Sequence, residues 1–148
     1  MYHRLPLHLE RTRSPEKRAD VEREATKFHP EGVKMIADLI RINRSYRRFH
    51  QDKKVTMETL EKLVDLARHS ACGANLQSLK YILSCEASTN ELIFKRLGWA
   101  AYLKDWKGPA EGEKPAAYIV LLGDTKIHTN FFCDHGIACQ SMLLGAVE

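Results

Sequence analysis

Residues 130–148, NFFCDHGIACQSMLLGAVE, would leave a helix with almost no polar face to turn to water. Gly136, Ala138, Ser141, Gly145 and Ala146 are small, whereas Ile137, Met142, Leu143, Leu144 and Val147 are large. A helix that is apolar around most of its circumference must be buried, and its small residues allow close approach of a neighbour. Two surroundings satisfy it: the centre of its own domain or a second subunit. A chain of 148 residues has room for about one ordinary domain and little spare core, so a pairing interface is as good a reading as a central position.

The segments before it set the rest of the organisation. Residues 1–34 mix charges of both signs with Pro6, Pro15 and Pro30 and carry few apolar side chains, which reads as a mobile extension with a helical stretch near residues 16–27. Met35 opens the first convincing helix, with Ile36, Leu39, Ile40 and Asn43 at helical spacing. Residues 35–148 are therefore expected to form the folded domain, and Met35 is a candidate natural start. Thr56 is placed to cap a helix whose apolar stripe is Leu60, Leu63, Val64, Leu66 and Ala67, ending near His69. Residues 70–77 form a loop, 79–85 a strand, and Thr89 is expected to cap a short helix running to Leu97. Residues 98–114 carry Trp99, Tyr102, Trp106 and Pro109 among charges and suit an exposed segment. The nearly continuous apolar run 116–122 predicts a strand covered on both faces, and the last helix is expected over 130–148. Two strands do not make a stable independent sheet, so either strands are missed or the chain is incomplete.

Several function classes are set aside. No apolar run approaches the about 20 residues needed to span a bilayer, and the first ten residues have no apolar core of a secretory signal, so a cytoplasmic location is the default expectation. The net charge of +4 is mild and its basic residues are interspersed with acidic ones, which gives no nucleic-acid surface. Cys72, Cys85, Cys133 and Cys139 form no C-x-x-C pair and are expected to be free thiols. Cys133, His135 and Cys139 are the one hint of a metal, but structural sites want about four ligands and none is expected here. No G-x-G-x-x-G follows a strand and no G-x-x-x-x-G-K-[ST] occurs, which takes most of the weight from the two common nucleotide-binding classes.

Two polar stretches remain. Residues 43–49, NRSYRRF, offer the forked donors of Arg44 and Arg47 and the short hydroxyl of Ser45, a set suited to a phosphate or a ring carbonyl. Composition alone favours a plainer reading, a solvated basic patch at a helix C-terminus, where cations complement the dipole. Residues 70–77, SACGANLQ, offer small residues that let a flat ligand approach the backbone, with the amides of Asn75 and Gln77 as donors and acceptors for a heterocycle edge. The plain alternative is a polar helix-to-strand loop.

Together the two stretches resemble the nitroreductase family of flavoproteins. NRSYRRF is similar to the family's N-terminal R-x-S-x-R-x-F signature, and ETLEKLVDLARHSACGANLQSLKYIL resembles its helix, Ser/Pro-rich loop, N-x-Q and strand. The likeness continues through GWAAYLKDWKGPAEGEKPAAYIVLLGD and CDHGIACQSMLLGAVE, spanning about residues 35–148. The resemblance implies an α+β fold, helices around a small mixed or antiparallel sheet, forming an intertwined homodimer with FMN at the subunit interfaces. It implies that Arg44, Ser45 and Arg47 hold the flavin phosphate, ribityl chain or pyrimidine edge, and that Ser70, Asn75 and Gln77 contact flavin across the interface. Trp99, Tyr102 and Lys104 fall where the family often places a substrate-facing lid, with hydrophobic packing an equal alternative. The implied reaction takes electrons from NADH or NADPH through flavin to a small acceptor such as a nitroaromatic or quinone. The flavin does the hard chemistry, so no Ser-His-Asp set or carboxylate pair is required.

Departures from the pattern are specific. Asn43 stands where many members have a basic residue, Ala71 and Cys72 replace the frequent Pro-Ser, and Ser78 replaces the frequent Pro after N-x-Q. Cys72 reads chiefly as a small substitute for Ser. The family normally continues past the buried helix through a Gly-rich loop, further strands and a basic phosphate contact, so a C-terminally truncated domain is expected. The rival function is a catalytically silent fragment with weak or no FMN binding.

Overall fold

A computed structural model describes residues 35–148; the expected extension over 1–34 lies outside the described residues. The elements run α1 (Ile36–Ile42), α2 (Met57–Arg68), a 3-10 turn (Gly73–Asn75), β1 (Leu79–Ser84), α3 (Ala87–Phe94), β2 (Tyr118–Gly123) and α4 (Asp134–Val147). Helices around one small antiparallel sheet make this an α+β fold of the expected kind. Among the described residues, no helix is long and apolar enough to cross a membrane.

The helix α2 forms where its local signals place it. Thr56 sits in extended backbone and its side chain accepts the N–H of Thr59 at 3.2 Å, satisfying a donor that the first helical turn leaves free. At the other end the backbone N–H of His69 closes onto Asp65 and Ala67, so the helix stops there as its sequence predicts. Leu60 and Ala67 are buried at i, i+7, and Leu63 and Val64 lean on the same core. Leu66, expected in the stripe, is 43% exposed because it lies at the edge where α4 crosses.

The helix α4 supplies the other half of the core through Ala138 and Met142, one turn apart and both buried against Ala67. A Cβ at Gly145 would collide with Leu66, so the small residue is what permits this close crossing. Beneath the helix pair, Leu79 and Tyr81 of β1 and Ile119 and Leu121 of β2 close the core. These residues share one face of the sheet by strand alternation, and the register pairs Tyr81 with Leu121 and Leu83 with Ile119.

Three sequence expectations are corrected here. The second strand is not covered on both faces along its whole length among the described residues: Leu122, on the face turned from the core, is 44% exposed, as is Ile82 of β1 on the same face at 51%. The helix α3 starts at Ala87 and ends at Phe94, so Thr89 lies inside it and not at its cap, and residues 95–97 only turn. Asn90 decides this start, because its N–H makes the first helical bond to Glu86 O while its buried side chain receives the Ser84 hydroxyl at 2.6 Å and donates to Ala116 O at 2.7 Å. The helix α4 begins at Asp134 and not near Asn130, since Asn130 Oδ1 accepts the N–H of Phe132 and Phe132 takes a left-handed φ of 44° that no helix continues.

The final helix is also less enclosed than its composition demands. Its Ile137 and Leu143 are 37% and 43% exposed, and α1, which touches α4, has no buried residue.

Candidate functional site

Beyond Ile42 the chain leaves helical structure and runs through residues 43–50 to meet the stretch 111–114. Phe49 N–H donates to Glu113 O at 3.0 Å, and the Gln51 side-chain oxygen accepts from the backbones of Gly112 and Lys114 at 2.8 and 3.2 Å. Gln51 Nε2 donates to Glu111 at 2.7 Å. One side chain thus satisfies three groups of a loop that is otherwise irregular. Phe49 also starts a ring cluster: its centroid is 6.4 Å from that of Trp99, which lies 5.5 Å from Phe94 and 6.4 Å from Trp106. Gly108 passes beneath Trp99 at a φ of +110°, where a Cβ would strike the indole at 2.6 Å. The aromatic segment is therefore anchored at Trp99 and Trp106, while Tyr102 and Lys104 between them are exposed.

The arginines of this stretch differ in their surroundings. Arg48 is paired with Glu113 at 3.0 Å, as Arg41 is with Asp38 and Arg68 with Asp65. Arg44 and Arg47 have no carboxylate partner among the described residues. Arg47 instead donates to Ser45 O at 3.1 Å and places its guanidinium carbon 5.3 Å from the centroid of Tyr102. Two forked donor sets are left open at one end of the segment.

Lys114 ties the base of the aromatic segment to α3, with Glu111 at 2.8 Å and Glu91 at 3.1 Å, and its ammonium lies 4.9 Å from the Phe94 ring centroid. Hydrogen bonds from Lys114 hold the carboxyls of Glu91 and Glu111 below the ordinary range, and Glu111, then Glu91, raise Lys114 above its own. The signs define a window. The carboxyls' contribution is complete above the ordinary carboxylate range and is lost as pH falls through their lowered values; that of Lys114 is complete below the ordinary lysine range and is lost as pH rises through its raised value. Both tryptophans of the chain sit in this segment. Their fluorescence should hold constant across neutral pH and change at an acidic pH below the ordinary carboxylate range, and a Lys114→Met variant should abolish that acid step.

The second stretch is built against α4. Ser70 Oγ lies 2.7 Å from Ser141 Oγ, which in turn reaches Ile137 O at 3.2 Å. The loop that follows turns sharply, with Ala74, Asn75 and Gln77 at positive φ of 48°, 54° and 50°. Such conformations cost most residues energy, so the surroundings must hold them. Asp134 supplies one hold: at 5% exposure its Oδ1 accepts the N–H of Gly73 at 2.9 Å. Cys72 Sγ supplies another, accepting Gln77 N–H at 3.4 Å. Gln77 Nε2 donates to Asn75 Oδ1 at 3.1 Å, pairing the two exposed amides.

The structure brings Arg47 to Tyr102 and Asn75 to Gln77. Among the described residues, no hydrogen bond, ion pair or ring contact joins residues 43–49 to residues 70–77. Gln51, Glu113 and Asp134, which brace the two stretches, are not singled out by the sequence pattern. The one signal for Asp134 is an acid at the head of an otherwise apolar helix.

The profile of the nitroreductase family matches residues 40–148. The chain belongs to the nitroreductase family. Solved structures agree with this member's fold. A nitroreductase family protein of Clostridium difficile 630 is 25% identical with a TM-score of 0.54, over 77% of this chain and 63% of that one. A Clostridium acetobutylicum protein named as a candidate NADH oxidase is 27% identical with a TM-score of 0.56, over 74% and 61%. A Parabacteroides distasonis protein, named as a candidate NADH dehydrogenase/NAD(P)H nitroreductase, shares the fold at 23% identity and a TM-score of 0.58, over 75% and 61%. This nitroreductase family chain thus spans about three-fifths of the length of these structures. Among curated proteins, none matches.

Proposed function

We propose that this chain is an FMN-dependent oxidoreductase that takes electrons from NADH or NADPH and passes them to a nitroaromatic, quinone or similar small acceptor. The observation that carries the reading is the pair of unneutralised arginines. Arg44 and Arg47 lie in the family signature without a carboxylate partner among the described residues, while their neighbours Arg41 and Arg48 are each paired. Arginines of one stretch left open in this way fit an anionic group such as the flavin phosphate. The paired amides of Asn75 and Gln77 fit a heterocycle edge that offers both donors and acceptors.

Arg44, Ser45 and Arg47 would bind the phosphate, ribityl chain or pyrimidine edge, and Ser70, Asn75 and Gln77 would border the ring. When bound, FMN supplies the acceptance and onward delivery of electrons that no side chain here offers. The chain's own part is to orient the flavin, and Trp99, Tyr102 and Lys104 would cover the acceptor's approach.

Because no hydrogen bond, ion pair or ring contact joins the two stretches among the described residues, a second copy would complete the grip. The apolar surface on α1, α2 and α4 supports such a homodimer: Ile36, Ile40, Leu66 and Leu143 are each more than two-fifths exposed. A groove of about 510 Å³ in this surface is lined by Leu39, Leu66, Ser70, Ile137, Ser141 and Gly145, so Ser70 borders the face that would pair. The alternative reading is a chain that pairs but holds flavin weakly or not at all.

The visible spectrum separates them. Protein purified with added FMN should retain a flavin band near one per chain that bleaches with NADH or NADPH. A colourless preparation from which added FMN washes away would overturn the enzyme reading in favour of the silent one.

A further inference from the structure

We propose that Tyr102 is a positioning residue for Arg47, holding its guanidinium ready for the ligand's anionic or carbonyl group; this rests on the flavin reading above. A lone exposed arginine samples many rotamers and loses that freedom when it binds. Arg47 is held at two points before any ligand arrives, by its bond to Ser45 O at 3.1 Å and by the Tyr102 ring at 5.3 Å. The ring contact takes up no N–H. Of the about five donors a guanidinium carries, only the one bonded to Ser45 is committed. Arg48 is held differently, by the Glu113 carboxylate, which pairs with its Nη1 and neutralises its charge.

Tyr102 itself is 69% exposed, so burial of its ring does not explain its place. Its loop does. Trp99 and Trp106 are fixed in the ring cluster, and between them Leu103 N–H closes onto Ala100 O at 2.7 Å and Trp106 N–H onto Leu103 O at 3.0 Å. Ala100 adopts a φ of +36°, which a non-glycine residue takes only when its surroundings require it. The strained turn delivers Tyr102 to Arg47. The anchored tryptophans thereby act on the cofactor-facing arginine through a residue that need not touch the cofactor.

An exposed cation–π contact is worth about two- to fivefold in an equilibrium constant. Titrating FMN fluorescence against the full chain should therefore give a Tyr102→Ala variant about two- to fivefold weaker than the parent, with Tyr102→Phe close to the parent because the ring is kept. In an Arg47→Ala background the Tyr102→Ala change should have no further effect, which a general packing role would not produce. Equal affinity of parent and Tyr102→Ala, equal loss in the Phe and Ala variants, or an undiminished effect without Arg47 would each overturn the proposal while leaving flavin binding intact. A parent chain that retains no FMN overturns the flavin reading and this proposal with it.

Discussion

Replacing Arg44 and Arg47 together by alanine is expected to weaken FMN binding by roughly a hundredfold. A hydrogen bond to a charged group contributes about 1.5 to 3 kcal/mol, and the lower figure applies to side chains that begin in water. Two such contacts at about 1.5 kcal/mol each give about 3 kcal/mol, or two decades in the dissociation constant. Arg48→Ala is the control. Its guanidinium is already neutralised by Glu113, so its loss should change FMN affinity less than about twofold. The parent's affinity should also fall as salt rises, and the double variant's should fall less, since screening acts on the charges removed. Fluorescence titration at two ionic strengths measures all three. Full affinity in the double variant would remove these arginines from the site and return the stretch to a solvated basic patch.

The parts of the fold legible in the sequence are those whose causes are local. The helix α2 is announced by Thr56 at its start and by the spacing of Leu60, Val64 and Ala67, and both operate within a turn or two. The strand β1 follows from its apolar and aromatic run, and it ends one residue before Cys85 as the ladder with β2 ends at Ser84 and Tyr118. The helix starts at Ala87 and Asp134 are less legible, because distant or non-helical choices decide them. Asn90 turns inward toward Ala116, which is 26 residues away, and Phe132 enters a left-handed conformation that no propensity scale favours.

The candidate site divides along the same line. Its polar stretches stand out as composition and carry the family resemblance, so Arg44, Arg47, Asn75 and Gln77 can be named as candidates. What holds them cannot. The bond from Gly73 to Asp134 spans 61 residues and that from Arg48 to Glu113 spans 65, and no short-range pattern encodes either. The exposed apolar faces of the sheet and of α4 follow the same logic: apolar periodicity reports that a surface must be covered, and it does not report by what.

Asp134→Ala should be the most damaging single change among the site's supports, lowering the melting temperature by roughly 5 to 10 °C. The carboxylate is buried and accepts the Gly73 N–H at 2.9 Å, and it stands in the first turn of α4, where negative charge complements the helix dipole. Loss of a hydrogen bond to a charged group costs about 1.5 to 3 kcal/mol, and loss of the dipole interaction adds about 0.3 to 1 kcal/mol. Asp134→Asn separates the two, since the amide oxygen can still accept from Gly73 while the charge is gone. It should recover more than half of the lost stability if the bond dominates. The loop must also respond. With its tether removed, the positive φ values at Ala74, Asn75 and Gln77 lose a support, so the Gly73 and Gln77 amides should exchange with solvent faster in Asp134→Ala than in Asp134→Asn. An alanine variant that melts with the parent and exchanges no faster would show that residues 70–77 hold their shape without α4, and that Asp134 is not what presents Asn75 and Gln77.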